Sequence, residues 1–257
     1  MIELRGIDKI FNVGTVNESR LFNDFSFSVK KSEFVSVVGS NGSGKTTMLN
    51  IISGTLPVSN GKILLDGCDI TKQPEHVRSR RIGRVFQDPS VGTVPRMTIV
   101  ENLSLAENKG KPYLLDFAVN RRKRNMFCEA VEQLGLGLED KMDIPVGLLS
   151  GGQRQALSLL MSTMTPIDLL LLDEHTAALD PRTAETIMQL TDHIVREKRL
   201  TVIMVTHNLR YAVEYGNRLV MMDKGNVVLD KADKEKAHTT VEDVLEIFNS
   251  ISIECGN

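Results

Sequence analysis

The chain has little to hold it together covalently and no stretch suited to crossing a membrane. Three cysteines, Cys68, Cys128 and Cys255, are scattered through 257 residues. Their odd number and wide spacing give neither a disulfide framework nor a metal-ligand pattern, and fit a reducing intracellular compartment. No charged N-terminal segment leads into an apolar signal stretch. No run of about eighteen apolar residues occurs either, so a membrane role is expected to go through a partner. An excess of one charge is also missing: 31 Lys and Arg stand against 33 Asp and Glu, a formal net charge of -2. That balance argues against a mainly electrostatic nucleic-acid binder, and no nucleic-acid partner is expected.

What is present is organised around Gly39-Ser40-Asn41-Gly42-Ser43-Gly44-Lys45-Thr46-Thr47. The apolar run Phe34-Val35-Ser36-Val37-Val38 precedes it, and a helix ending near Gly54 follows. Strand, glycine-rich loop and helix N-terminus in that order form a phosphate-binding pattern. The glycines let backbone amides turn inward, and these amides with the positive helix end make an anion cradle. Lys45 can reach the β- and γ-phosphates, and Thr46 can place its hydroxyl on Mg²⁺.

The remaining chain fits one α/β domain with a modest insertion. The segment of residues 91–164 reads as mainly helical. Thr98 with Glu101 forms a capping-box pattern, and Phe127, Ala130, Val131 and Leu134 lie on one helical face. The basic cluster Arg121, Arg122, Lys123 and Arg124 reads as solvated helix surface, or else as a contact to lipid headgroups or an acidic partner. A helix is expected from Gln153 to Met164. Asp180 followed by Pro181 is a good helix start, with Ala184, Ile187, Leu190, Thr191 and Ile194 facing inward. Residues 231–238 read as charged and exposed. Thr240 with Asp243 starts a last helix carrying Val241, Val244, Leu245 and Phe248.

Leu169-Leu170-Leu171-Leu172 is a short apolar run suited to a parallel strand buried on both faces. It delivers Asp173 and Glu174 at its C-terminal end, where open α/β sheets bind ligands. Adjacent strand residues face opposite ways, so the two carboxylates need different tasks unless the backbone turns. Asp173 suits a Mg²⁺-bound water beside Thr46, and Glu174 suits polarising the attacking water. The plainer alternative is a carboxylate pair capping a turn. His207 follows the strand of residues 201–206; it is either a hydrogen-bonded structural residue or a γ-phosphate sensor. Gln87 leaves a strand end as a loop residue or as a contact to Mg²⁺ or water. Phe11 is a packing residue or an adenine-stacking aromatic. Leu149-Ser150-Gly151-Gly152-Gln153 is a turn and helix cap, or a second anion cradle.

Over nearly its full length the chain resembles the ATP-binding subunit of an ABC transporter. The resemblance rests on residues 39–47 as phosphate loop, Gln87 as glutamine loop and Leu149 to Gln153 as signature. It also takes in Asp173, Glu174, Ala178-Leu179-Asp180, His207 and Phe11. It implies a P-loop NTPase core with an antiparallel β subdomain and a helical insertion subdomain. The expected single domain covers residues 1–250: core at 1–90 and 165–235, helical signature subdomain at 91–164, short C-terminal helix and tail at 236–257. It implies Mg²⁺-dependent ATP hydrolysis, with Glu174, His207 and Gln87 catalytic. Thr46, Gln87 and Asp173 would hold the metal. Residues 39–47, Phe11, Ser150, Gly151, Gly152, Gln153 and Asp180 would contact nucleotide. Two copies would pair head to tail around two ATP molecules, and the region from Gln87 to Val94 with the helical insertion would receive a membrane permease. The expected location is the cytoplasmic face of the cell membrane.

Two positions depart from the family pattern. His175 stands where Pro usually follows the catalytic glutamate, which restores a backbone donor and puts a titratable ring beside the site; a less rigid loop is expected. Ser32 stands where Gly is common. The sequences around Gln87, Asp173 and Gly216 further resemble a bacterial uptake subgroup that works with a solute-binding lipoprotein. Aromatic amino acids or related small solutes are its suggested cargo. Lipoprotein release and a soluble assembly ATPase are the alternatives sharing these motifs.

Overall fold

The computed structural model describes residues 1–111 and 121–254, with side chains through residue 250; Cys255 lies outside them. The chain forms two compact units, Met1–Arg78 with Leu200–Asn257, and Ser79–Arg199. The first begins with β1 (Ile2–Phe11), β2 (Ser19–Val29), β3 (Phe34–Gly39), α1 (Lys45–Ser53), β4 (Asn60–Leu65), β5 (Cys68–Asp69) and α2 (Glu75–Arg78). The second holds β6 (Ile82–Val85), α3 (Ile99–Glu107), α4 (Arg121–Glu132), α5 (Gly151–Thr163), β7 (Leu169–Asp173) and α6 (Pro181–Lys198). The chain then returns to the first unit with β8 (Thr201–Val205), α7 (Leu209–Glu214), β9 (Arg218–Asp223), β10 (Asn226–Ala232), α8 (Asp233–Ala237) and α9 (Val241–Glu254).

In the first unit an antiparallel sheet runs β2-β1-β4-β5. Its inner face is read out by alternation, but β1 changes phase midway. Ile2 and Leu4 are buried, then Ile7, and the register with β2 shifts between Leu4 and Ile7. Gly6, at φ 57, supplies the left-handed residue of that bulge. β3 shows no alternation, because it pairs in parallel with β8 on one side and β9 on the other. All of its residues are buried. The β9–β10 hairpin turns through Lys224 and Gly225, at φ 44 and 80. Two successive left-handed residues match the twist of the flanking strands. Ser32 sits at φ 60 and its amide donates to Thr201 Oγ1 at 3.0 Å. A left-handed backbone explains why glycine suits this position; serine carries a strain of about 1–2 kcal/mol there.

In the second unit β6 and β7 pair in parallel, and the helical segment has its own core. Ile99 and Leu103 of α3, Phe127 and Val131 of α4, Ala156, Leu157 and Leu160 of α5, and Ile187 of α6 pack into it. The Thr98 capping box forms in both directions: the hydroxyl accepts from Glu101 N, and the Glu101 carboxylate accepts from Thr98 N. α5 starts at Gly151, two residues ahead of the sequence expectation, because Ser150 and Gln153 make a second reciprocal box. The basic cluster is only partly solvated surface. Arg121 and Arg122 are exposed, whereas Lys123 pairs with Glu107 at 3.0 Å and Arg124 makes a two-pronged bond to Asp143 at 2.7 and 2.6 Å.

One expectation for the end of the chain needs correction. Residues 231–238 are not uniformly exposed: Lys236 is 3% exposed, and its ammonium donates to the carbonyls of Tyr215 and Gly216. Those carbonyls close a chain turn and take up the charge that the charged stretch was expected to give to solvent. In α9, Val244 is buried, but Leu245 is 43% exposed. Thr240 caps this helix, its hydroxyl accepting from Asp243 N.

Candidate functional site

In the first unit, the loop of residues 39–47 joins the C-terminal end of β3 to the N-terminus of α1. Gly44, at φ 105, occupies the N-cap with no side-chain cap, and the first turn of α1 carries no acidic residue. The positive end of α1 thus faces no capping or acidic side chain of its own. A Cβ on Gly44 would lie 2.9 Å from the Phe22 ring, so the fully buried Phe22 sets the floor of the loop. A Cβ on Gly39, at φ 150, would meet Met222 O at 2.1 Å. Lys45 is 5% exposed, and its Nζ donates to Gly39 O at 2.8 Å and Ser40 O at 2.9 Å. The ammonium is therefore held inside the loop curve, where phosphate oxygens would be its stronger partners.

The hairpin of β9 and β10 braces this loop. Ser40 Oγ donates to Asp223 Oδ1 at 2.8 Å, and Gly225 N donates to Ser43 O at 3.0 Å. A cavity of about 370 Å³ brings Gly39, Ser40 and Asn41 together with His207, Leu209 and α9 residues Leu245, Phe248 and Asn249. The partial exposure of Leu245 follows from its place on this cavity. Phe11 stands half-buried at the end of β1, with the Lys9 ammonium 5.0 Å from its ring centroid. Nothing in the local sequence tied Phe22, Asp223 or Gly225 to this loop, because each reaches it from a distant strand or turn.

In the second unit, β7 is fully buried and ends at Asp173. Glu174 follows at φ 48, so the backbone does turn between the two carboxylates. Left-handed geometry at a non-glycine residue is a kind of strain that recurs at functional sites. Asp173 Oδ2 accepts from Arg84 Nη2 of β6 at 2.8 Å. His175 is 2% exposed and its Nε2 lies 3.2 Å from Thr191 Oγ1. The Thr191 hydroxyl donates to Ile187 O at 2.7 Å, so it accepts from His175 Nε2–H. Burial pushes the His175 pKa down to about 4. The expected titratable ring beside the site is therefore a neutral anchor, and the segment after Glu174 is tied to α6 rather than loosened.

A second cavity, of about 330 Å³, is lined by Gln87, Asp88 and Pro89, by Gly151, Arg154 and Gln155 of α5, and by His175, Ala178 and Leu179. It gathers the segment after β6, the start of α5 and the segment after β7 within the second unit. Gln87 is exposed, while Gln155 Nε2 donates to Phe86 O at 3.2 Å and fixes the strand end before it. Ser150 is exposed at the tip of its capping box. Asp180 caps α6 through Oδ1 to Thr183 N at 3.1 Å; the hydrogen bonds from Thr183 hold its carboxyl below the usual range.

The donors named for a metal are the hydroxyl of Thr46, the amide of Gln87 and the carboxylate of Asp173. Hard oxygen donors of this kind suit Mg²⁺, which keeps water and phosphate ligands and needs few from protein. Among the described residues no cluster of three or more His, Cys, Asp or Glu could hold an ion by itself. The donor chemistry fits Mg²⁺ arriving with a triphosphate.

A glycine-rich loop leading into a helix with no side-chain cap, together with a strand-end carboxylate pair, defines a phosphate-loop nucleotide-binding protein. The chain belongs to the ABC transporter family, whose model matches residues 22–177. It is 50% identical over 248 residues, 96% of this chain and 98% of the relative, to a tyrosine transport ATP-binding protein of Clostridioides difficile (strain R20291). It is 33% identical over 235 residues to the spermidine/putrescine import ATP-binding protein PotA of Haemophilus influenzae (strain 86-028NP), covering 91% of this chain and 59% of that protein. Among solved structures, the dimeric post-hydrolysis state of the ATP-binding cassette MJ0796 bound to ADP and Pi superposes with a TM-score of 0.77. That match has 28% identity and covers 90% of this chain and 98% of the other. The chain is an ATP-binding and ATP-hydrolysing subunit that powers uptake, works as a dimer and partners a membrane permease. Among the described residues no helix is long and apolar enough to cross a membrane.

Proposed function

We propose that this chain hydrolyses Mg²⁺-ATP on the cytoplasmic face of the membrane and thereby drives import of an aromatic amino acid or a closely related small solute. The observation that carries the reading is the phosphate loop. Gly39 and Gly44 admit no side chain, the helix end has no side-chain cap, and Lys45 is already held within the loop's curve. Lys45 binds the β- and γ-phosphates, the amides of residues 39–47 cradle them, and Phe11 stacks on the adenine. Thr46, Asp173 and Gln87 hold Mg²⁺, which neutralises charge on the phosphate oxygens. Glu174 accepts the proton of the attacking water, and His207 hydrogen-bonds the γ-phosphate.

Two copies pair head to tail, and Ser150, Gly151, Gly152 and Gln153 of one copy complete the phosphate shell of the other. The segment containing Asp180 passes between the paired sites. Closure depends on the γ-phosphate joining two half-sites, and its loss weakens their association. The permease docks on the helical segment and the region from Gln87 to Val94, and an extracytoplasmic solute-binding protein delivers cargo. The tyrosine relative, 50% identical over 98% of its length, supports tyrosine as the first solute to test. The test is the purified complex with its permease and solute-binding protein in vesicles. Tyrosine-loaded binding protein should raise ATPase activity several-fold. Stimulation by an unrelated solute alone would overturn the aromatic assignment.

A further inference from the structure

Arg84 and Asp173 come from neighbouring parallel strands. Arg84 of β6 stands opposite Leu171 of β7, and Asp173 is two residues further along, on the same face as Leu171. The Arg84 guanidinium thus reaches Asp173 diagonally, Nη2 to Oδ2 at 2.8 Å, with side chains only 10% and 11% exposed. Its other surface lies over the Phe86 ring, 4.6 Å from the centroid. Ser162 Oγ of α5 donates to Arg84 O at 2.8 Å and pins the strand that carries it. Stacking, strand pairing and a helix contact all hold the guanidinium in one place. A shielded, charge-assisted pair of this kind is stronger than an exposed ion pair.

We propose that Arg84 is a built-in competitor for the Asp173 carboxylate and sets how much Mg²⁺ the site requires. This rests on the reading of Asp173 as the carboxylate that orients Mg²⁺. The guanidinium offers Asp173 one positive charge, and a divalent ion must displace it or share the carboxylate with it. Mg²⁺ by itself gains little from that exchange. Mg²⁺ carried on a triphosphate gains the phosphate contacts as well, so the carboxylate is released to the cation only in company with nucleotide. The Phe86 ring keeps the displaced guanidinium close, ready to recapture Asp173 when the cation leaves.

Mn²⁺, read by electron paramagnetic resonance, tests this without turnover. The full-length chain with ADP is titrated with Mn²⁺, and the same is done for Arg84→Met and Arg84→Lys. Arg84→Met keeps an unbranched side chain against Phe86 and removes the charge. It should tighten Mn²⁺ binding about tenfold or more, while ADP affinity without divalent ion stays the same. Arg84→Lys should fall between the two, because an ammonium lacks the planar fork. Unchanged or weaker Mn²⁺ binding in Arg84→Met overturns the proposal; if that variant does not fold, unchanged or weaker binding in Arg84→Lys does so. Asp173→Asn separates the two layers. It should weaken Mn²⁺ binding in either background, and intact Mn²⁺ binding would show that Asp173 is not the cation's carboxylate, removing the premise itself.

Discussion

His175→Pro restores the residue that the family pattern favours and removes what the fold here uses in its place. The imidazole is 2% exposed and donates from Nε2 to Thr191. Thr191 keeps Ile187 O as acceptor for its own proton, so losing the ring orphans no donor. The cost is one neutral hydrogen bond, about 1 kcal/mol, plus about 1–2 kcal/mol for ring volume left unfilled. Thr191→Val is harsher in kind: it strands a buried Nε2–H, at about 1–3 kcal/mol. In the double variant the two losses should overlap by about 1 kcal/mol, which a double-mutant cycle in urea reads directly. Chemistry should change less than stability. Glu174 is untouched, so steady-state ATPase of His175→Pro should stay within about tenfold of the parent, a barrier difference of roughly 1.4 kcal/mol. A far larger fall in turnover, with the fold and ATP affinity intact, would refute the view of His175 as an anchor and give it a part in the reaction.

Glu174→Gln should keep ATP binding, nearly abolish turnover and trap a dimer visible by size-exclusion chromatography with ATP; normal turnover would remove Glu174 as the main base. Lys236 gives a pH signature. Burial pushes its pKa down to about 8. Between pH 8 and the ordinary lysine value, the unfolded chain holds a proton that the native chain has released, so this group's contribution rises with pH through that window. Lys236→Met should lose that rise in urea titrations run from pH 7.5 to roughly 10.4, the reference lysine value.

The sequence carried the parts of this fold that depend on near neighbours. The buried run at β7, the Thr98 box, the Asp180-Pro181 helix start and the glycine stop at Gly54 were all legible, because each depends on residues within one or two turns. β3 was legible for the same reason: burial on both faces leaves an unbroken apolar run. The site was legible where spacing itself is the chemistry, as in residues 39–47. It was not legible where a distant side chain supplies the environment. Phe22 lies under Gly44, Arg84 reaches Asp173, and Lys236 finds two carbonyls at a turn some twenty residues away. His175 shows the limit most clearly. A histidine read as a titratable addition became a buried neutral anchor once α6 brought Thr191 to it.

The bracing of the phosphate loop also bears on how the chain is made. Asp223 and Gly225 hold Ser40 and Ser43, and Met222 closes over Gly39, although more than 175 residues of chain separate the partners. During synthesis the loop emerges well before its supports. A nascent chain that ends before the β9–β10 hairpin carries the complete phosphate-loop motif without the contacts that hold its shape. Nucleotide binding is therefore expected to follow synthesis of the β9–β10 hairpin rather than synthesis of the loop itself.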